Sequence, residues 1–203
     1  MYLIGWIAGL VAAGSLRGAW VLMGPMTTLF LGISLFAMPE GVVLAQRSDR
    51  SVVRFGRLLS AALGLTALIW TIALMMLPDS VGHALLGSSW NGAREVLPGV
   101  GLAMVATGLS TGPFIGLRAF AAARRSLRVR VAVAPLTLIG AGLGAVVAGA
   151  RGGALGMAAA AWIAFVYWQI EFAAELRERK KGSAVTAADV ESVAVGLAHE
   201  SPV

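Results

Sequence analysis

The sequence predicts an all-α fold, a polytopic transmembrane helix bundle of about six spans, and three observations predict it. Apolar residues make up 58% of the 203 and charged residues 13%, with a mean hydropathy of +0.83, far from the balance of a soluble domain. The apolar residues are gathered into runs long enough to cross the hydrocarbon of a bilayer. Of the 16 Lys and Arg, 13 lie in three short segments beside those runs, so the net charge of +6 reads as topology signals and headgroup contacts, not as a nucleic-acid surface. One domain results: a bundle over residues 1–175, followed by a tail over 176–203.

The first run, Tyr2 to Leu16, has about 15 apolar residues before Arg17, fewer than the ~20 that a span needs. A signal peptide would carry a basic leading region, which is absent here, and Gly5, Gly9 and Gly14 suit helix packing. The expectation is the outer part of a spanning helix whose beginning is missing or short. Ala19 to Ala45 follows, 27 residues with one ionisable group, Glu40. At ~1.5 Å per residue this run exceeds a ~30 Å hydrocarbon core. Arg47, Arg50, Arg54 and Arg57 in the loop behind it place its C-terminal end in the cytoplasm. Gly24-Pro25 and Pro39-Glu40-Gly41 interrupt the run, and each proline removes a donor, so a freed carbonyl needs a partner in protein or water. The interruptions read as kinks or as binding-site breaks. Glu40 reads as an interfacial carboxylate paired with an arginine such as Arg47, or as a proton-coupling site.

Leu58 to Leu77 is a charge-free span closed by Pro78-Asp79, and Ser80 to Glu95 is expected to be an external loop with a half-buried turn at Val81 to Leu86. In that loop His83 reads as an exposed residue and Trp90 as an interfacial one. Val96 to Leu117 returns inward, with Pro98 in its first turn and Pro113 near its inner end, where a break is expected. It terminates in Arg118, Arg124, Arg125, Arg128 and Arg130, five arginines in 13 residues and the strongest inside signal of the chain. Phe120 is the single aromatic among them, too few for a nucleic-acid stacking surface. Val131 to Ala150 goes out, Arg151-Gly152-Gly153 turns, and Ala154 to Ile170 comes back. Gly140, Gly144 and Gly152 let these two helices approach closely, and Tyr167 and Trp168 fit an interfacial belt. The helix emerges over Glu171 to Lys181, and Gly182 to Val203 is expected to be mostly disordered. Six segments with the arginine-rich loops inside put both termini in the cytoplasm.

Several chemistries have little to be built from. There are no cysteines, the histidines are His83 and His199, and carboxylates are not clustered, so no metal, cofactor or catalytic constellation is expected and the chain does not read as an enzyme.

Gly14-Ser15-Leu16-Arg17-Gly18-Ala19, Gly24-Pro25, Ala37-Met38-Pro39 ahead of a basic loop, Leu77-Pro78, Leu85-Leu86-Gly87, Trp90 and Ala93 resemble the second half of polysaccharide exporters and oligosaccharide-lipid flippases. These belong to the multidrug, oligosaccharidyl-lipid and polysaccharide exporter superfamily, and the similarity covers about residues 2 to 175. The resemblance implies two six-helix halves around a central cavity, working by alternating access in the cell membrane. This chain would then be one C-terminal half, truncated, split or self-pairing, with a second helical bundle as partner and a lipid-linked saccharide as cargo. It also implies basic residues that attract lipid phosphate. Arg17, Arg94 and Arg118 are the candidates, each of which reads first as a plain helix-end anchor. A scaffold or assembly subunit that packs on a partner through its glycine faces is the alternative function.

Overall fold

The structure, a computed structural model, describes the backbone of residues 13–199 and the side chains of residues 13–122 and 124–182. Helix α1 covers residues 13–22, α2 Gly24–Arg47, α3 Asp49–Met75 and α4 Asp79–Leu86; after a 3-10 turn at Gly87–Ser89, α5 covers Trp90–Ala119. From Ala123 to His199 the chain is helical except at Ala148 (φ −140°, ψ 32°) and Gly149 (φ 57°, ψ −140°). The positive φ at Gly149 suits a residue without Cβ. It divides the stretch into α6, residues 123–147, and α7, residues 150–199. Gly144 and Gly152 face each other across this break, so α6 and α7 are an antiparallel hairpin. Four stretches are long and apolar enough to cross a membrane, and the last folds back at Gly149. The described residues therefore hold five long apolar helices: α2, α3, α5, α6 and α7. The sixth expected segment, Tyr2 to Leu16, falls mostly outside the described residues.

Helix punctuation departs from the sequence reading in several places. Between α1 and α2 the break is at Met23, with Pro25 in the first turn of α2; no loop forms at Arg17-Gly18. Gly18 is why: a Cβ there would lie 3.2 Å from Ala93 Cβ, so α1 stays helical as it packs on α5, with Arg17 on its exposed side. At the break the Leu22 carbonyl accepts the Trp70 indole N–H at 3.1 Å, which gives it a protein partner in an apolar setting. Between α2 and α3 the expected basic loop contracts to Ser48, whose backbone is extended and whose hydroxyl accepts the Arg50 N–H at 3.2 Å. Ser48-Asp49 is a helix start, and it places Arg50, Arg54 and Arg57 on one exposed face of α3.

Pro39 and Pro113 lie inside unbroken α2 and α5, not at breaks. One lost hydrogen bond costs less in an apolar setting than exposing a whole turn of backbone. The expected external loop is largely helix α4, begun by Pro78 with Asp79 in its first turn. Arg151 belongs to α7, because the hairpin turns earlier than Arg151-Gly152-Gly153. Past Lys181 α7 continues to His199, where the sequence reading expects a disordered tail.

The core is organised on α5. Of the apolar window that includes it, 72% is buried, against 17% for α2, so α5 is the central helix and α2 a peripheral one. Small residues permit this. A Cβ on Gly101 would collide with Thr71, one on Gly108 with Leu63 and Gly64, and one on Gly112 with the Gly56 carbonyl, all on α3. On the other side Gly99 meets Ala154 and Gly116 meets the Phe172 ring, both on α7. Ser60 on α3 accepts the Gly112 N–H at 2.9 Å, a buried bond between helices. One apolar cluster gathers Leu16, Met23, Leu63, Trp90, Leu97 and their neighbours. A second, of Val52, Leu117, Phe120, Val129, Trp168 and Phe172, lies where Arg47–Arg57, Arg118–Arg130 and 171–181 come together, hereafter the basic end.

Candidate functional site

A groove of about 420 Å³ runs along the bundle between α2, α5 and α7. Trp20, Thr27, Phe30, Leu31 and Ser34 form one wall; Met104, Thr107, Ser110, Thr111 and Phe114 of α5 form the other; Trp168 and Arg130 lie toward the basic end. The hydroxyls on α5 arise because Thr107, Ser110 and Thr111 share one side of the helix at spacings of three and four. Each hydroxyl donates back to a carbonyl four residues earlier: Thr107 to Ala103 at 2.8 Å, Ser110 to Ala106 at 2.7 Å, Thr111 to Thr107 at 3.2 Å and Thr27 to Met23 at 3.2 Å. Their protons are satisfied locally, and their lone pairs remain free to accept from a ligand hydroxyl. The groove thus combines an apolar lining with acceptors at mid-span.

At its basic end the groove is closed by aromatic rings. Trp168 meets Phe114 edge to face with centroids 5.5 Å apart. Trp168 is 9% exposed, so it belongs to the core and not to the expected interfacial belt. The Arg118 guanidinium lies 4.7 Å from the Phe114 ring centre, and that of Arg130 5.2 Å from the same ring. Both arginines also line an adjoining hollow of about 480 Å³ with Ala121, Ser126 and Leu127. The turn between α5 and α6 sets this geometry. Ala121 has φ 56°, and the Ala122 N–H reaches back to the Leu117 carbonyl at 2.9 Å, the left-handed closure of a helix end.

Two other arginines at this end, Arg125 and Arg179, are paired with carboxylates. Arg125 binds three carboxylates of α7: Glu171 at 3.0 Å, Glu175 at 2.9 Å and Glu178 at 2.5 Å. Bonding to Glu178 first, and then to Glu171, raises the Arg125 pKa, while Arg125 holds the Glu178 carboxyl below its ordinary range. Arg179 pairs with Asp49 at 3.2 Å and stacks over Phe120 at 4.3 Å. These contacts clamp α7 to α6 and to the start of α3.

The candidates taken from the sequence do not converge. Arg94, at the opposite end, pairs with Asp79, which also accepts the Trp90 indole N–H at 2.8 Å. Trp90 is fully buried, with Gly82 against its ring, and is not the interfacial residue expected. The Trp90 bond, followed by Arg94, holds the Asp79 carboxyl below its ordinary value. His83 Nδ1 donates to the Gly87 carbonyl, 3.0 Å away, at the end of α4. Arg17 is exposed on α1, and Glu40 is exposed on α2 and joins no ion pair among the described residues, so the pairing with Arg47 is not formed. Of the three arginines, Arg118 comes nearest the groove, lining the adjoining hollow and lying over Phe114. Phe114 and the hydroxyl row are residues the sequence reading did not single out, and it read Arg130 as a topology signal and Trp168 as an interfacial residue; the Phe114/Arg118 spacing of four and the position of Arg130 just beyond the same turn were the available signal.

Gly144 and Gly152 meet backbone to backbone: a Cβ on either would lie within 2.1 Å of the other's carbonyl oxygen. Gly140 approaches Gly156 in the same way. No group of three or more residues suited to hold a metal occurs among the described residues. Taken together, the helices define an all-helical bundle that fits a multi-pass membrane protein, with one groove open along its side. No family model, curated protein or solved structure matches the chain.

Proposed function

We propose that this chain is an integral membrane transport protein of the cell membrane, one half of a flippase for lipid-linked saccharides, with its basic end in the cytoplasm. The observation that carries the reading is the lateral groove. Its apolar walls suit a lipid chain, its row of Thr and Ser acceptors suits hydroxyl-rich cargo, and Arg118 and Arg130 suit a phosphate. It is open along one side, and a saccharide crossing hydrocarbon needs polar contact all round. A second helical bundle facing α2 would complete the passage, as halves do in transporters built from repeats. The scaffold alternative draws no support from Gly140, Gly144, Gly152 and Gly156, which are occupied by one another.

The test is translocation of a lipid-linked oligosaccharide in proteoliposomes, with oligomeric state measured in the same sample. The expected result is no translocation by the monomer and activity once a second bundle, or a second copy, is present. Robust translocation by the monomer overturns the half-transporter reading; failure with every second bundle overturns transport.

A further inference from the structure

Arg118 and Arg130 differ from the other arginines with described partners. Arg94, Arg125 and Arg179 each meet a carboxylate, whereas Arg118 and Arg130 form no ion pair among the described residues. Both guanidinium groups nevertheless converge on one ring, Phe114, from the last turn of α5 and the second turn beyond the start of α6. The side-chain contact of Arg118 besides the ring is a weak one to the Met38 sulfur at 3.5 Å. Two like charges that share one ring and one hollow with no counter-ion repel, and both side chains are exposed and open to a ligand. An anion placed between them removes it, and phosphate oxygens match the planar fork of guanidinium.

What the anion is attached to follows from the groove. Arg130 lines both the hollow it shares with Arg118 and the apolar groove that leads away along α2 and α5. A phosphate held by the two arginines therefore has an apolar channel directly behind it, which fits a chain esterified to that phosphate. We infer that Arg118 and Arg130 form a binding site for the phosphate of an anionic phospholipid of the adjacent leaflet, with its acyl chain in the groove. The inference uses the groove on which the transport reading rests, but it requires no transport, so a resident lipid satisfies it.

The experiment is lipid retention by the purified full chain after reconstitution in vesicles of phosphatidylglycerol and phosphatidylcholine in equal parts, read by native mass spectrometry. Wild type is expected to retain phosphatidylglycerol selectively. Arg118→Gln with Arg130→Gln should reduce that preference about tenfold or more, the order expected for losing charge-assisted bonds. Arg124→Gln with Arg128→Gln removes the same charge from the same segment and should leave the preference within about twofold; an equal loss there would mean general surface charge and overturn the site. Arg118→Lys with Arg130→Lys, which keeps the charge but not the fork, should fall between. On wild type alone, short-chain phosphatidylglycerol should displace the bound lipid and inorganic phosphate at the same concentration should not. Equal displacement by both would assign the site to free phosphate, and absence of selectivity in wild type would remove it altogether. Neither result bears on translocation, so the two readings fail separately.

Discussion

At the residue scale the opposite end of the bundle depends on Trp90. It is fully buried, backed by Gly82, and gives its N–H to Asp79, which Arg94 also binds. Trp90→Ala removes a large core side chain and should cost ~3 to 5 kcal/mol, while Trp90→Phe keeps most of the packing and loses the hydrogen bond, so it should cost distinctly less. Thermal unfolding in detergent separates the two. The same cluster makes a pH prediction. Because the folded Asp79 carboxyl lies below its ordinary value of 3.8, its contribution is present above that value and is lost as pH falls through the lower, folded one. Asp79→Asn should therefore lower the unfolding midpoint at about pH 6, and the deficit should shrink below the ordinary value and vanish below the lowered, folded one. A deficit independent of pH would show that the carboxylate charge contributes nothing.

At the scale of the element, the α6–α7 hairpin offers a paired comparison. Gly144 has the Gly152 carbonyl 2.1 Å from where its Cβ would stand, whereas Gly142, two residues earlier, has nothing within 4 Å. Gly144→Leu forces two backbones apart and should cost ~1 to 3 kcal/mol. Gly142→Ala should be neutral or stabilise by up to ~1 kcal/mol through helix propensity. Equal effects in detergent melting would mean that the two helices do not touch along this face. The clamp at the other end of the hairpin is electrostatic. Removing the Arg125 charge by Arg125→Gln leaves Glu171, Glu175 and Glu178 facing one another, so stability should fall at neutral pH. Because Arg125 holds the Glu178 carboxyl below its ordinary range, the deficit should shrink as pH falls through that lowered value and Glu178 protonates. A deficit that grows in acid would contradict the clamp.

How far these elements were legible depends on what signal each one left. The hairpin and its small-residue face were readable because Gly140, Gly144 and Gly152 stand at helical spacing amid alanines. The helix ends were not, because a run of arginines reads equally as loop or as an exposed helical face, and Ser48 alone decides between them by capping α3. Pro39 and Pro113 misled for a related reason: a proline signals a lost bond, but whether the flanking turns bend or break is set by the surrounding packing. The centrality of α5 was hidden in glycines spread around the helix, each facing a different neighbour, which no single periodicity reveals.

At the scale of the whole molecule, the architecture places three basic segments at one end of the five long apolar helices and Asp79, Arg94 and the Gly149 turn at the other. The candidate site depends on this alternation, since it brings Arg118 and Arg130 to the same end as Arg125 and Arg179. The groove itself was out of reach of the sequence reading, because it needs Thr27 of α2, Thr107 of α5 and Trp168 of α7 to be neighbours, and nothing in their spacing says so.

The most direct test of the account is a set of topology reporters fused at Ser51, Gly87, Ser126, Gly149 and Lys181 of the full chain. Basic segments tend to remain in the cytoplasm, so the account predicts that Ser51, Ser126 and Lys181 report inside and that Gly87 and Gly149 report outside. Ser126 and Lys181 on opposite sides of the membrane would contradict the hairpin, and Ser126 outside would contradict the orientation and with it the placement of the arginine pair.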